Sequence, residues 1–211
     1  YNKKNMSNKI ISFWNWFKNN NHAFLFTNEV DEDIKEQLLS DFLDELHKYN
    51  DKLYFQIGGI PGEDQELIIT AEGDAEQFAS VEKLIDAAPV INNWRFIAFI
   101  QPSDDENTIN YEGVEITRSD LWFIPLDSKV NPSSIGIRIC VPNYEILKTN
   151  DWFGNAVYKL VDTVLGEKSF ALDIDYLDIA ELPDEPEENG MIELAELPAF
   201  IKWKKKKLNR R

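Results

Sequence analysis

The stretch LYFQIGGIPGEDQELIITAEGDAEQFASVEKLIDAAPVINNWRFIAFI (53–100) decides the fold class. LYFQIG (53–58), ELIITAE (66–72) and WRFIAFIQ (94–101) are short runs rich in β-branched and aromatic residues, bounded by turn formers, and they predict three strands. GGIPGEDQ joins the first two as a hairpin loop, because its glycines permit positive φ and its proline fixes a turn. In DAEQFASVEKLIDAAP, Phe78, Val81, Leu84, Ile85 and Ala88 recur every three or four residues. That spacing predicts a helix with Asp74 as its cap and Pro89 as its stop. The order is strand, strand, helix, strand.

The same order recurs downstream. LWFIPL (121–126) and IGIRICV (135–141) are strands, NDWFGNAVYKLVDTVLGE (150–167) is an apolar-faced helix ended by Gly166, and LDIDYLDIAE (172–181) is a strand. Leu53, Tyr54 and Phe55 line up with Leu121, Trp122 and Phe123 at an offset of 68 residues. Two such units predict an α+β fold, with a mixed and mostly antiparallel sheet joined from both and helices packed on it. INYEGVEIT (109–117) adds one more strand between them.

Upstream, VDEDIKEQLLSDFLDELHKY (30–49) places Val30, Ile34, Leu38, Phe42, Leu46 and Tyr49 on one stripe opposite an acidic face. Asp31 or Asp33 suits its first turn. A helix around 8–19 precedes it, with Phe13, Trp14 and Phe17 facing inward and Trp16 on another face. After an acidic, proline-containing loop (PDEPEENG), MIELAELPAFIKW forms an amphipathic stretch that docks on the body. The expected organisation is a single domain over residues 1–201, with N-terminal helices at about 8–49 and a sheet–helix body at about 53–182. A basic tail, KWKKKKLNRR (202–211), follows. The tail is expected to stay solvated or to fold back on its own protein, and its removal to leave folding unchanged.

A chain of 211 residues with 43% hydrophobic residues, including 13 Phe, 7 Tyr and 6 Trp, supplies enough apolar surface for a core without metal or disulfide staples. The single cysteine, Cys140, excludes an intrachain disulfide and suits a reducing compartment. The early apolar run IISFWNWF (10–17) falls far short of the roughly 20 residues needed to span a bilayer, so the expected location is cytoplasmic, with no membrane partner. The net charge is -16, and residues 1–201 alone hold 15 Lys and Arg against 38 Asp and Glu. Such a body repels phosphate backbones, which argues against nucleic acid, and favours a protein partner with a basic surface.

Chemistry-bearing patterns are few. His22 and His47 adjoin no Ser or Cys nucleophile, no paired zinc-ligand spacing exists, and GGIPG lacks the Lys-Ser/Thr of a phosphate-binding loop. No cofactor is expected. Asp173 and Asp175, two apart on the expected strand, project from one face, and hard cations favour such oxygen clusters. With Glu72 they define the alternative reading, a hydrolase or divalent-metal-dependent enzyme using a carboxylate cluster; Glu115 is a further strand carboxylate. The leading reading is a non-enzymatic protein-binding or regulatory module, in which the acidic helix or an exposed tryptophan meets the partner.

Over about residues 10–200, the segments ELIITAEG, AAP, NWRFIAF and LGEKSFALDIDYL resemble a family of uncharacterised bacterial cytosolic proteins. The resemblance implies shared architecture and carries no catalytic residue across. The acidity and strand–helix order are more distantly similar to the ribonuclease-regulator B group of small acidic proteins.

Overall fold

The computed structural model describes residues 2–25, 30–59, 63–103 and 107–208. The protein is α+β, and it divides into two compact units, residues 1–100 and 101–211.

In the first unit, α1 (Asn2–Asn20) and α2 (Glu32–Tyr49) precede β1 (Tyr54–Gly58), β2 (Gln65–Thr70), α3 (Phe78–Asp86) and β3 (Trp94–Ala98). β1 and β2 pair antiparallel, and β2 and β3 pair parallel in the order β1-β2-β3. The loop expected at 58–65 connects this antiparallel pair, with Gly58 and Gln65 belonging to the strands and residues 60–62 outside the described residues. Asp74 caps the segment leading into α3, its carboxylate accepting from the Glu76 amide at 3.0 Å. Asp31 occupies the cap position of α2 without a side-chain hydrogen bond.

The core of this unit is aromatic. The register aligns Phe55 with Ile69 and Leu67 with Phe96, so these side chains share one sheet face. The helices cover it: Phe42 meets Phe55 at a centroid separation of 4.0 Å, while Phe17 meets Trp94 and Phe96 at 5.0 and 5.6 Å. Phe13, Trp14 and Phe17 are all buried, as their spacing predicts. Trp14 Nε1 donates to the Leu84 carbonyl at 2.8 Å, tying α1 to the C-terminal turn of α3. Of the α2 stripe, Phe42, Leu46 and Tyr49 are buried and Ile34 is exposed, because the helix makes its core contacts through its C-terminal half.

The second unit holds two sheets. β4 (Thr108–Tyr111) and β5 (Val114–Thr117) form a hairpin. The stretch 109–117, expected as one strand, is thus two: Glu112 and Gly113 adopt φ of 49° and 81°, the left-handed pair that a tight two-residue hairpin turn requires. β6 (Trp122–Leu126), β7 (Gly136–Val141), β8 (Tyr176–Glu181) and β9 (Ile192–Glu193) form a four-stranded sheet in the order β8-β7-β6-β9. The α+β class and the strand–strand–helix–strand order hold in both units, and the strands are divided among three sheets. β6–β7 pair antiparallel and β7–β8 parallel, repeating the arrangement of β1–β2–β3, and β1 and β6 begin 68 residues apart. Each repeat also carries an ion pair across its parallel strands, Glu66 with Arg95 and Arg138 with Asp178.

Helices α4 (Tyr144–Leu147), α5 (Phe153–Leu165) and α6 (Glu167–Asp173) lie between β7 and β8, and α7 (Leu197–Lys207) closes the unit. The face of α5 bearing Ala156, Val157, Leu160, Val161 and Val164 is buried among Ile137 and Ile139 of β7, Ile109, Val114 and Ile116 of the hairpin, and Leu197 and Ile201 of α7. Gly166 ends α5 with φ 75°, where a side chain would be strained. Trp152 occupies the N-cap position, outside the helix proper, and is exposed.

The lysine run belongs to α7. Lys204 pairs with Asp127 at 3.0 Å, Lys205 pairs with Asp173 at 2.8 Å, and Leu208 packs on the core. Of the two expectations for residues 202–208, the segment takes the folded-back one; residues 209–211 lie outside the described residues.

Candidate functional site

The first unit presents a cavity of about 330 Å³ between α1 and α2. Its walls are Trp16 and Asn20 of α1, Ala23 and Phe24 of the following turn, and Leu38, Asp41, Asp44, Glu45 and Lys48 of α2. The spacing 38, 41, 45, 48 explains the wall: these residues form one helix stripe beside the apolar stripe of Phe42, Leu46 and Tyr49. Apolar contact holds α2 in place, and the neighbouring stripe, carrying carboxylates, is left to line the opening.

Trp16 is rigidly supported. Its ring lies 5.8 Å from Phe42, 6.0 Å from Phe24 and 6.4 Å from Phe13, and it remains half-buried, with surface left at the cavity. Asn20 Nδ2 donates to the Trp16 carbonyl at 2.7 Å. Across from it, Gln37 Nε2 donates to Asp41 Oδ1 at 2.7 Å. Glu45, nearly buried, accepts from Lys48 Nζ at 2.5 Å. That hydrogen bond, and secondarily the Glu45 charge, raises the Lys48 ammonium above its ordinary pKa. Three carboxylates and one internal cation around an aromatic ring make a net negative, partly desolvated recess. Such a recess favours a cationic side chain laid over the indole face.

The carboxylates of the alternative reading are placed differently. Asp173 ends α6 and Asp175 precedes β8, so they do not occupy alternate positions of one strand. The α6 helix continues to Asp173 because its carboxylate is engaged there, by Ser169 Oγ at 2.8 Å and by Lys205. Asp175 accepts the Ile135 amide at 2.7 Å, and its own amide donates to the Ile135 carbonyl at 2.9 Å, which fixes the entry to the sheet. Glu72 is exposed in a turn of the first unit with φ 49°. Among the described residues, no group of three or more His, Cys, Asp or Glu is placed to hold a metal ion. Glu115 is exposed on the β4–β5 hairpin. His47 Nε2 lies 3.1 Å from the Leu53 carbonyl with its ring edge on Tyr54, and His22 is exposed.

Compared with known proteins, the chain matches no family model, no curated protein and no solved structure.

Among the described residues, no helix is long and apolar enough to cross a membrane. The sequence pointed separately to the acidic helix and to the Trp14/Trp16 pair. It did not join them, because the contact between Trp16 and the 41–45 stripe exists only once α1 and α2 have packed. The one available signal was the pair of helical stripes adjoining in phase, apolar at 42, 46 and 49 and acidic at 41, 44 and 45.

Proposed function

We propose that the chain is a cytoplasmic, non-enzymatic protein-binding module of the uncharacterised bacterial family its motifs resemble. Its site receives a Lys or Arg side chain from a basic segment of a protein partner. The observation that carries this reading is the cavity whose wall combines the supported Trp16 ring with Asp41, Asp44 and Glu45. Cations bind aromatic faces most strongly when partly desolvated, and carboxylates at the rim supply direction and on-rate. The acidic body adds long-range attraction for a basic surface and repels polyanions, in keeping with a protein rather than a nucleic-acid partner. Lys48 acts as an internal stand-in, neutralising Glu45 until an incoming cation competes for it.

The test is titration of the full chain with an arginine-rich peptide, read by tryptophan fluorescence and calorimetry. Trp16→Ala and Asp41→Asn/Asp44→Asn are expected to weaken binding by about tenfold, the scale of one cation–π contact with a charged hydrogen bond. Asp184→Asn/Glu185→Gln, an equal charge change in the exposed acidic loop, is the control and is expected to change affinity by less than about twofold. Equal weakening by both double variants would show that only net charge matters and would remove the site.

A further inference from the structure

A second concavity lies in the other unit and is independent of the α1–α2 reading. It is an open concavity of about 440 Å³, within the range of small-molecule sites, walled by Leu165, Ser169, Asp173, Pro198, Ile201, Lys202, Lys205 and Lys206. Its construction follows from the stripe of α7. Pro198, Ile201, Lys202, Lys205 and Lys206 share one helix face, apolar at the first turn and cationic at the next two. Leu165 and Ile201, both buried, form an apolar floor.

The three ammonium groups are not equivalent. Lys205 is fixed by Asp173, a buried residue whose carboxylate also accepts from Ser169 Oγ. Asp173 thereby holds both Lys205 and the Ser169 hydroxyl at the wall. Lys202 and Lys206 have no ion-pair or hydrogen-bond partner among the described residues, although the chain carries a large excess of carboxylates. One turn apart, they flank the same opening. Three ammonium groups against one carboxylate leave two uncompensated positive charges above an apolar floor.

We propose that this concavity binds a small organic phosphate monoester, its dianionic phosphate held by Lys202, Lys206 and the anchored Lys205, and its organic group resting on Leu165, Ile201 and Pro198. Lysine acts on phosphate as a point charge, so convergence of several around one opening is what a dianion requires. The overall negative charge selects for size. A small ligand inside a Debye length of about 8 Å responds mainly to the local lysines, whereas a polyanion extends over the acidic body and is repelled.

The experiment is calorimetry and amide NMR of the full chain with phenyl phosphate, inorganic phosphate and phenol as probes. Phenyl phosphate is expected to bind one site with Kd below about 1 mM, and inorganic phosphate at least about fivefold more weakly, for want of the apolar contact. Phenol is expected not to saturate. Lys202→Gln/Lys206→Gln, both at exposed positions, is expected to weaken phenyl phosphate at least about tenfold with unchanged melting, while Lys207→Gln, on the same helix but over the Trp203 ring, changes it less than about twofold. Three results would overturn the proposal: no saturation by phenyl phosphate, equal affinity for inorganic phosphate, or an equal effect of Lys207→Gln.

Discussion

Phe42 touches the rings of Phe13, Trp16, Phe17, Phe24 and Phe55 at 4.0 to 5.9 Å and is fully buried. Phe42→Ala is expected to lower unfolding free energy by about 3–5 kcal/mol in urea titrations, and Phe42→Leu by much less, because the wall of rings cannot collapse into the void. The same truncation would loosen the support under Trp16, so it should weaken peptide binding as well. Two buried tryptophans supply a matched contrast. Trp14 Nε1 donates to Leu84, whereas Trp94 Nε1 is buried with no hydrogen-bond partner among the described residues. Replacing each by Phe removes similar volume, so Trp14→Phe should be the more destabilising by about 1–2 kcal/mol, the difference between breaking a buried hydrogen bond and removing an orphaned donor. Asp162 provides a pH test. Burial raises its carboxyl pKa above 3.8, with Lys159 opposing the rise. The folded state therefore binds the proton more tightly than the unfolded chain, and this group's contribution to stability is lost as pH rises from below 3.8 through the raised value. Asp162→Asn should gain relative to the parent between pH 3 and pH 7; a melting difference that stays constant or moves the other way contradicts the assignment. The sequence placed Phe42 in its stripe by spacing alone. It gave no sign of Asp162 or Trp94, since whether a helix carboxyl or an indole is desolvated depends on what packs over it.

At the scale of elements, the strongest periodicities were the most legible. α3 and α5 sit where their apolar spacing, the Asp74 cap and Gly166 predict, and α1, expected around 8–19, runs from Asn2 to Asn20. Segment 172–181 departs from the strand expected there: Leu172, Ile174 and Tyr176 alternate with aspartates as a half-solvated strand does. Alternation over four or five residues does not separate a strand from the end of a short helix followed by a bend. What separates them is distant: Lys205 engages Asp173 inside α6, and Ile135 engages Asp175 at the entry to β8. The lysine run was equally opaque, because its partners Asp127 and Asp173 come from a loop and another helix. These contacts reverse the expectation for the C-terminal segment. A chain ending at residue 201 loses both ion pairs and the packing of Leu208, and it leaves the Asp173 carboxylate buried without its cation. Its stability is expected to fall by roughly 1–3 kcal/mol, seen as a drop of several degrees in melting temperature. Asp173→Asn should then act with opposite signs, raising the melting temperature of the shortened chain and lowering that of the full one. The same sign in both would show that Asp173 and Lys205 are not coupled.

At the scale of the molecule, the internal repetition is the organising fact. Each unit contains an antiparallel strand pair followed by a helical crossover to a parallel third strand, and each sets an ion pair across its parallel strands. Local sequence encodes that order well, since turn residues and apolar periods are short-range signals. Which strands finally share a sheet depends on pairing between segments far apart in the chain, and the β6–β9 contact near the C-terminus illustrates it, with only two residues in β9. Each unit has about the length of an ordinary domain, its own β-structure and its own fully buried residues: Phe13, Phe17, Phe42, Leu67 and Leu84 in one, Phe123, Ile137, Ala156 and Leu160 in the other. Residues 1–100 and 101–211, expressed separately, are therefore each expected to unfold cooperatively in urea. The six tryptophans are divided three and three, so fluorescence and near-ultraviolet dichroism report on both fragments. A fragment that shows neither a sigmoidal transition nor near-ultraviolet signal would mean that its buried residues need the rest of the chain. If both fragments fold, arginine-peptide binding should reside wholly in the first and phenyl phosphate binding wholly in the second, because every wall residue of each cavity comes from one unit.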